Sequence, residues 1–473
     1  MASVSIVNLS EVKQNGWRLD GEYWKDYHSK SAVQYIKLGD IAKISGGKRL
    51  PLGEKFSDVG IPYIRAEDVK GFVDYNDSPK ISEDLHQKIK KYQTKYNDVL
   101  LTIVGNSIGD IGIVKFELEK CNLTENAAKI YNLKNFLPEF LFIFFQTKYG
   151  QSQIKKESVG TAQPKLALCR IGEMKIPLLT HTFQTKIEQT VKTAHQLLEA
   201  SKTAYKTAEN LLLDEVFGNW KPATHKNWHV KMLSEVQSAG RMDAEYFHAK
   251  YEDLLSQIKG YKGGWCELGE VCDLIGHPSN PPYAKENDNE KIFIITQKHL
   301  GKITPDDNFF DDKDALYTNQ EFEAKNPQYI LQEGDLLMYS VGAYIGKVNI
   351  YNENKIKATI ASFLTLIRTN KVNPYFLTVL FNLPSFIELS QRRQRGLAQQ
   401  YLYPYDIKQL IIPLIPQPLQ AQIATLVKQS FEDRTQSKAL LQLAKTAVEK
   451  AIEEGEEAGL TEINSIKLIC QPN

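Results

Sequence analysis

Residues 182–217 read TFQTKIEQTVKTAHQLLEASKTAYKTAENLLLDEVF, and neither proline nor glycine occurs between Pro177 and Gly218. Because nothing here interrupts a helix, the stretch predicts a helix of about 35 residues, roughly 50 Å long. Apolar and small residues recur along it in alternating steps of four and three, at Ile187, Val191, Ala194, Leu198, Ser201, Tyr205, Ala208 and Leu212. This period of 3.5 residues keeps one seam turned towards a partner helix. A long helix with one apolar seam therefore needs a partner helix.

The chain contains a second copy of this helix. Ile412-Pro413 repeats Ile176-Pro177, and further matches follow at a constant offset of 236 residues, the separation of the two prolines. The matched pairs are Gln184 with Gln420, Ile187 with Ile423, Val191 with Val427, Ser201 with Ser437, Lys202 with Lys438 and Ala208 with Ala444. The second helix should run from about Leu419 to Glu454, where the next residue, Gly455, favours an end.

The two helices are expected to pack against each other. The seam of the second helix is less regular, because Ser430, Arg434 and Ser437 occupy positions that are apolar in a pure coiled coil. The residues expected at the interface are Ile187, Val191, Leu198, Tyr205 and Leu212 in the first helix and Ile423, Val427, Leu441, Ala444 and Val448 in the second.

The duplication extends well beyond the helices. RLDGEYW at Arg18–Trp24 returns as RMDAEYF at Arg241–Phe247, and DVLLTIVGNSIG at Asp98–Gly109 returns as DLLMYSVGAYIG at Asp335–Gly346. The latter pattern indicates a buried strand, a glycine turn and a second strand, which predicts a mixed sheet. Gly-Thr-Ala-Gln at 160–163 matches Gly-Leu-Ala-Gln at 396–399. The chain therefore repeats a whole unit of about 210 residues.

Composition sets the class of protein. A chain of 473 residues with 42% hydrophobic and 24% charged residues can bury a substantial core in two or three domains. Its apolar runs are shorter than the roughly 20 residues that cross a bilayer, and Met1–Asp20 lacks signal-peptide character. We expect a cytoplasmic protein whose five scattered cysteines are free thiols. The formal net charge of +1 predicts that any basic surface is local or is completed by a partner.

Motifs for catalysis are scarce. The chain has no phosphate-binding G-x-x-x-x-G-K-[ST] sequence, and its histidines show no metal-ligand spacing. Asn280-Pro281-Pro282-Tyr283 matches the tetrapeptide with which amino-group DNA methyltransferases hold a flipped base. Such an enzyme also needs a glycine-rich loop for its methyl donor, and none occurs upstream. We therefore expect no catalytic residue and no metal site in this chain.

Taken together, the repeated marks resemble the specificity subunit of type I restriction-modification systems. They are Arg-Leu-Asp-x-Glu-Tyr-Trp, Leu-Gly-Asp at 38–40, Asp-Val-Leu-Leu, Gly-Thr-Ala-Gln and the Ile-Pro before each helix. Each motif is short, but the same order of motifs occurs twice, which is specific. The resemblance covers the chain from about Arg18 to Gly455. Pro164-Lys165-Leu166 in the first copy, against Gln400-Tyr401-Leu402 in the second, is a departure within the family's range.

The resemblance implies a mixed α+β fold with two globular target-recognition domains in a pseudo-two-fold tandem repeat. Two long antiparallel helices, forming a coiled coil, would separate these domains. The implied ranges are 1–180 for the first recognition domain, 181–218 for the first spacer helix, 219–416 for the second recognition domain, 417–455 for the second spacer helix and 456–473 for a tail.

The resemblance also implies the partners. Each domain would read one half of a split, asymmetric site in double-stranded DNA. Two methyltransferase (modification) subunits would dock along the helices, and two restriction or translocase subunits would join them. S-adenosylmethionine, ATP and Mg would be held by these partners rather than by this chain, and no membrane is involved.

The residues expected to bind DNA are polar or basic side chains on the loops, because base readout uses such groups at the groove edges. In the first domain they are Lys48, Arg49, Arg65, Asn106, Ser107, Lys155, Lys156 and Gln163. In the second they are His277, Ser279, Asn280, Lys298, Arg392, Arg393, Arg395 and Gln399.

Two other functions remain open at this point. One is a stand-alone adenine methyltransferase acting through Asn280–Tyr283. The other is a coiled-coil scaffold that joins proteins and does not bind DNA.

Overall fold

The computed structural model describes residues 8–14, 32–160, 163–220, 228, 230–285, 291–300, 315–352, 357–396 and 398–465. The chain divides into two compact units. Unit 1 comprises Met1–Leu197 with Thr435–Asn473, and unit 2 comprises Leu198–Arg434. The first copy of the repeated opening motif, Arg18–Trp24, and the last eight residues lie outside the described part.

The elements up to the first long helix are as follows. The helices are α1 (Leu9–Gln14), α2 (Leu38–Ile41), α3 (Glu83–Ile89), α4 (Pro138–Gln146), α5 (Lys148–Glu157), α6 (Leu168–Gly172) and α7 (His181–Val216). The strands are β1 (Tyr35–Lys37), β2 (Lys43–Gly46), β3 (Ile61–Ile64), β4 (Gly71–Phe72), β5 (Lys80–Ile81), β6 (Val99–Thr102), β7 (Ile111–Ile113), β8 (Asn122–Leu123), β9 (Ala127–Tyr131) and β10 (Lys175–Pro177).

The second half repeats this order. Its helices are α8 (Leu233–Ala239), α9 (Ala249–Lys259), α10 (Leu268–Val271), α11 (Gln320–Lys325), α12 (Pro374–Asn382), α13 (Pro384–Arg392), α14 (Pro404–Lys408), α15 (Gln417–Glu454) and α16 (Glu456–Asn464). Its strands are β11 (Trp265–Glu267), β12 (Leu274–Gly276), β13 (Ile292–Ile295), β14 (Tyr317–Thr318), β15 (Leu336–Tyr339), β16 (Val348–Ile350), β17 (Ala358–Ile360), β18 (Leu364–Arg368) and β19 (Ile411–Pro413).

The two units share one sheet topology in their described residues, apart from the edge strand β4 of unit 1. Unit 1 has a five-stranded sheet in the order β2-β9-β6-β7-β4 and a three-stranded sheet β5-β3-β8, and unit 2 has β12-β18-β15-β16 and β14-β13-β17. In both three-stranded sheets one pair is parallel, β3 with β8 and β13 with β17, while the other pair is antiparallel. The mixed sheet predicted from the strand, turn and strand pattern is therefore present in both copies.

The helix α4 shows how the sequence builds each core. Its residues Phe140–Phe145 are all buried, because they are apolar on every side and the helix packs between the five-stranded sheet and the long helix. Proline begins both α4 and its counterpart α12, where the missing N–H costs no intrahelical hydrogen bond. The same pair of elements thus forms the centre of each unit.

In unit 1 the first part of α7 packs against the last part of α15. Ile187 and Val191 share a buried cluster with Ala444 and Val448. Ser437 Oγ donates a hydrogen bond of 2.6 Å to the carbonyl oxygen of Ala194. Nearer the start of α7, the Phe183 ring faces Gly459 in α16, where a Cβ would lie only 2.8 Å from the ring. The two helices therefore run antiparallel within this unit.

In unit 2 the last part of α7 packs against the first part of α15. Tyr205, Leu212, Ile423 and Val427 are buried in one cluster. The seam also contains a polar pair, because the hydroxyls of the fully buried Ser201 and Ser430 lie 3.1 Å apart.

Two seam residues differ from the expectation. Leu198 and Leu441 are half-buried, whereas the other eight residues expected at the interface are buried. Ser201, one turn after Leu198, is fully buried instead, because a hydroxyl that finds a partner across a close contact can replace an apolar side chain.

The architecture is the expected one of two mixed α+β bodies in tandem with two long antiparallel helices. Among the residues that the structure describes, no helix combines the length and apolar character needed to span a membrane.

The seam gives a first prediction. Val191→Asp places an unpaired carboxylate in a fully buried position and should lower the free energy of unfolding by about 3 kcal/mol or more. Thr193→Asp puts the same charge on an exposed position of the same helix and should change it by less than about 1 kcal/mol. Chemical denaturation of the full chain measures both values. Equal losses for the two variants would show that Val191 does not lie in a packed seam.

The serine pair gives a second prediction. Ser201→Ala or Ser430→Ala alone leaves the remaining buried hydroxyl without this partner and should cost about 1 kcal/mol. The double variant removes both polar groups, so its loss should be smaller than the sum of the two single losses. A double-mutant cycle in denaturant measures the coupling. Strict additivity would argue against a hydrogen bond between the two side chains.

Candidate nucleic-acid interface

Several predicted residues in unit 1 lie on loops at one edge of the five-stranded sheet. The end of β2, the end of β6 and the start of β9 meet there, because β9 is antiparallel to both neighbours. Backbone hydrogen bonds tie the loops together: Gly47 N to Ala127 O at 3.1 Å, Ile103 N to Asn126 O at 2.8 Å and Thr124 N to Ile64 O at 2.9 Å. The loops after β2, β3, β6 and β8 thus form one surface, called here the loop edge.

A tight hairpin adds to this loop edge. The amides of Val159 and Lys165 each donate to the other residue's carbonyl oxygen at 2.9 Å, which closes the loop of residues 160–164. Gly105 N donates to Pro164 O at 3.1 Å, and Leu166 N donates to Ile103 O at 2.9 Å. The hairpin is therefore fixed beside the glycine turn that contains Asn106 and Ser107.

Unit 2 builds the same hairpin from different residues. Arg395 N donates to Tyr401 O at 2.8 Å, Tyr401 N donates to Arg395 O at 2.7 Å, and Leu402 N donates to Ser340 O at 2.9 Å. The glycine at the start of each hairpin, Gly160 or Gly396, has φ of +104°. A Cβ on Gly396 would lie 2.2 Å from the Gln399 carbonyl oxygen, so this position requires glycine. The glycine that opens each repeated Gly-x-Ala-Gln sequence is thus needed for the backbone geometry of the turn.

An exposed glutamine occupies the equivalent position in the two hairpins. Gln163 and Gln399 are both exposed, and they are separated by the offset of 236 residues that relates the two copies. The Gln399 carboxamide oxygen accepts a hydrogen bond of 2.8 Å from the Tyr401 hydroxyl, which leaves its amide hydrogens available.

The basic candidates of unit 1 differ in whether they form ion pairs with carboxylates of the same unit. Lys48 is exposed and lies 5.9 Å from the centroid of the Tyr92 ring. Arg49 forms an ion pair of 2.6 Å with Glu125, and this hydrogen-bonded contact raises the pKa of the guanidinium. Arg65 contacts two acids in the turn that follows it, Glu67 at 2.5 Å and Asp68 at 3.4 Å. Lys48 is therefore less constrained than either arginine.

The remaining candidates of unit 1 lie around the hairpin. Asn106 is exposed at the tip of the glycine turn, and Ser107 beside it is half-buried. Lys155 and Lys156 are in the last turn of α5, directly before the hairpin, with Lys155 the more exposed of the two.

In unit 2 the loop after β12 carries His277, Ser279 and Asn280. The His277 ring nitrogen Nδ1 lies 3.0 Å from the Pro278 carbonyl oxygen, while Ser279 is exposed. Asn280 Oδ1 accepts hydrogen bonds from Ser362 N at 3.3 Å and from Ser362 Oγ at 2.5 Å. The contact with Ser362 joins this loop to the segment before β18. Lys298 is exposed in the turn that follows β13.

The arginines of unit 2 have structural contacts within the domain. Arg392 lies over the rings of Tyr246 and Tyr251, at 4.4 and 5.3 Å, and its Nε donates to the Tyr246 carbonyl oxygen. Burial lowers the pKa of this guanidinium. These contacts attach the end of α13 to the repeated motif that begins at Arg241.

Arg393 and Arg395 have similar roles at the start of the hairpin, whose base is the bridge between Arg395 and Tyr401. Arg393 Nη1 donates to Gln409 Oε1 at 2.6 Å. Arg395 forms a two-pronged ion pair with the buried Asp406, with both hydrogen bonds at 3.0 Å. Arg241 donates to the carbonyl oxygens of Arg393 and Gln394. The basic run that precedes the second hairpin thus holds it in place.

The loops after β12, β13, β15 and β17 form the corresponding loop edge of unit 2, and some residues there were not among the candidates. Gln297 Nε2 donates to the carbonyl oxygens of Val341 at 2.7 Å and Phe363 at 3.2 Å, and so connects two loops. Tyr401 and Tyr403 stack with ring centroids 6.0 Å apart, and Tyr403 and Tyr405 are exposed. The alternation of Tyr401 and Tyr403 was a usable signal, because a period of two beside a bridged hairpin places aromatic rings on one side.

The tetrapeptide Asn280–Tyr283 is built as a loop of unit 2, with Tyr283 largely exposed and the Asn280 carboxamide oxygen bonded to Ser362. A methyltransferase would need that oxygen to accept a hydrogen bond from the amino group of the base. Within the described ranges, no group of three or more histidine, cysteine, aspartate or glutamate residues is placed to hold a metal ion.

Comparison with known proteins agrees with the repeat. The family described as "Type I restriction modification DNA specificity domain" matches the chain twice, at residues 30–209 and 264–443. The two matches fall on the two copies of the unit, each with its long helix.

The chain is also similar to individual proteins. It is 23% identical to the type I restriction enzyme MjaIX specificity subunit of Methanocaldococcus jannaschii over 84% of this chain and 86% of that protein. It is 32% identical to the EcoBI specificity subunit of Escherichia coli, in a match that spans 34% of this chain and a third (33%) of that relative. A crystal structure of the type I S subunit from M. genitalium covers 93% of this chain and 98% of its own, at 11% identity and a TM-score of 0.43.

The doubled loop edge, the paired hairpins and the two long helices therefore occur in a chain whose two copies both match one family. The chain belongs to the type I restriction-modification DNA specificity family.

Proposed function

We propose that each unit of this specificity subunit reads one half of a split, asymmetric sequence in double-stranded DNA through its loop edge. The observation that carries the proposal is the repeated hairpin, which presents an exposed glutamine at the same place in both units. Around it, the loops differ in sequence between the copies. A constant framework with variable loops suits two half-sites of different sequence.

The candidate residues divide into two groups under this proposal. Lys48, Asn106, Lys155, Gln163, Ser279, Lys298 and Gln399 are exposed and are the first choice for contacts with bases or phosphates. Arg49, Arg65, Ser107, Lys156, His277, Asn280, Arg392, Arg393 and Arg395 would act mainly by shaping the loops or through contacts with DNA phosphates. These residues are assigned to the second group because they form ion pairs or hydrogen bonds within the chain or are partly buried.

The proposal includes the partners implied by the family. Two modification subunits dock along the polar faces of α7 and α15 and carry S-adenosylmethionine, and two restriction subunits carry ATP and Mg. The recognition domains are then residues 1–180 and 219–416, with the helices as the spacer, and the complex acts on DNA in the cytoplasm. Because carboxylates of the chain itself neutralise several loop arginines, part of the phosphate neutralisation comes from these partners.

The half-site proposal predicts separable effects of the two hairpins. In the complete complex, Gln163→Ala should relax the sequence requirement in one half of the methylated site, and Gln399→Ala should relax the other half. Loss of one good base contact costs about 1–3 kcal/mol of discrimination. Mapping of methylated adenines in a host genome that carries each variant reads out both halves at once.

Gln87→Ala is the matched control, because Gln87 is an exposed amide on α3 rather than on the loop edge. It should leave both halves of the site unchanged. If both hairpin variants altered the same half, or left the recognised sequence intact, the assignment of one half-site to each hairpin would be wrong.

The helices give a prediction about the gap between the half-sites. One added turn of four residues lengthens a helix by roughly 6 Å, somewhat less than two base pairs at about 3.4 Å each. Thr203-Ala204-Tyr205-Lys206 is followed by the similar Thr207-Ala208-Glu209-Asn210, so duplicating the first four residues extends α7 with its own pattern. The methylation map should then show the same half-sites with a longer gap. An unchanged gap would mean that α7 does not set the spacing.

A further inference from the structure

A cavity of about 550 Å³ in unit 1 is lined by four lysines. Lys90, Lys91, Lys95 and Lys129 line it together with the rings of Tyr96 and Phe136. It lies where β6 begins and β9 ends, which is the edge of the sheet opposite the loop edge. This lysine cleft therefore belongs to none of the surfaces described so far.

The cleft carries an excess of positive charge. Lys90, Lys91 and Lys95 are exposed, and no carboxylate forms an ion pair with them among the described residues. Asp98 is the one acid among the described lining residues, and its Oδ2 accepts hydrogen bonds from Lys95 N at 2.9 Å and Thr94 Oγ1 at 3.1 Å. Because Asp98 already stabilises its own turn, it offsets only part of the charge of the four ammonium groups.

Lys129 forms the floor of the cleft. It is buried on β9, its Nζ donates to the carbonyl oxygen of Gln93, and it lies 4.8 Å from the centroid of the Tyr131 ring. Burial lowers the pKa of Lys129 and raises that of Asp98, so the two groups stabilise each other's charged forms only in part. An anion in the cleft would add a favourable contact for this ammonium group.

In unit 2 the position equivalent to the cleft holds an aspartate that is paired with an arginine of the same unit. Asp335 matches Asp98 in the repeated strand, and Arg368 ends β18 as Tyr131 ends β9. The Arg368 guanidinium forms two hydrogen bonds of 2.6 and 2.7 Å with Asp335 and also donates to the carbonyl oxygens of Gln328 and Ile330. In unit 1 a tyrosine replaces this arginine, and lysines surround the position.

We propose that the lysine cleft of unit 1 binds the phosphate groups of a nucleotide, either free or as part of a DNA strand. Four ammonium groups suit a multiply charged anion, and the Tyr96 and Phe136 rings offer an apolar wall against which a base can pack. The volume lies within the range of sites that hold small molecules. The phosphates belong either to a free nucleotide or to the backbone of DNA, and the inference does not depend on which half-site unit 1 reads.

Calorimetric titration of the full chain with ATP, inorganic tripolyphosphate and a short DNA duplex, in buffer without divalent metal, tests the proposal. The combined variant Lys90→Gln with Lys91→Gln should weaken phosphate binding by roughly tenfold, which corresponds to about 1.4 kcal/mol. The matched control is Lys175→Gln with Lys186→Gln, which removes the same charge from two exposed lysines outside both the cleft and the loop edge and should leave binding unchanged.

Tyr131→Arg separates a defined site from diffuse attraction. It introduces the guanidinium that pairs with the matching aspartate in unit 2, so it should fill the cleft and weaken binding even though it adds a positive charge. Melting curves establish that each variant is folded. Equal weakening by the cleft and control variants, tighter binding by Tyr131→Arg, or no binding of any of the three probes would overturn the proposal. A response confined to the duplex identifies backbone phosphate as the ligand, and a response to ATP and tripolyphosphate identifies a free nucleotide.

Discussion

Each unit of this protein depends on the packing of two helix segments that are far apart in sequence. In unit 1, Ile187 and Val191 of α7 complete a core together with Ala444 and Val448 of α15. In unit 2, Leu212 of α7 completes a core together with Ile423 and Val427 of α15. Since α7 and α15 each contribute residues to both units, unit 1 is built from two separate segments of the chain, whereas unit 2 is one continuous segment whose two ends pack together. This arrangement makes the helices part of the domains and not only a connection between them.

The duplicated framework tolerates large changes in charge. The pair Asp98 and Asp335 occupies matching positions, yet one lies beside a lysine-lined cleft and the other is held by Arg368. The hairpins agree in geometry down to the φ of Gly160 and Gly396, while the residues that fix their bases differ. Backbone geometry is therefore what the two copies share, and side-chain chemistry is where they diverge. Such divergence is what recognition of two unlike half-sites requires.

The sequence predicted the long helices and the mixed sheet because those features depend on local patterns. The 3.5-residue period and the absence of proline and glycine indicate α7 directly, and the strict need for glycine at 396 explains why the turn was visible in the repeat. The roles of Arg392 and Arg395 were not predictable in this way. Their partners, Tyr246 and Asp406, are 146 and 11 residues away, and no local pattern shows that a basic run will be held by them. The lysine cleft was missed for the same reason, since Lys129 joins Lys90 and Lys95 only through the sheet.

The near-zero net charge of the chain corresponds to ion pairs at the loop edges. Arg49, Arg65 and Arg395 are all paired with carboxylates of their own domain, so they add rigidity to the loops more than they add positive potential. The groups left exposed beside them include amides and rings, such as Asn106, Gln163 and Tyr403, together with the lysines Lys48, Lys155 and Lys298. Amides discriminate between base edges through donor and acceptor geometry, whereas free cations chiefly attract phosphates of any sequence. In such a subunit the amides on rigid loops provide the selectivity, and the partners provide much of the electrostatic attraction to phosphates. The subunit alone would therefore bind non-specific DNA weakly.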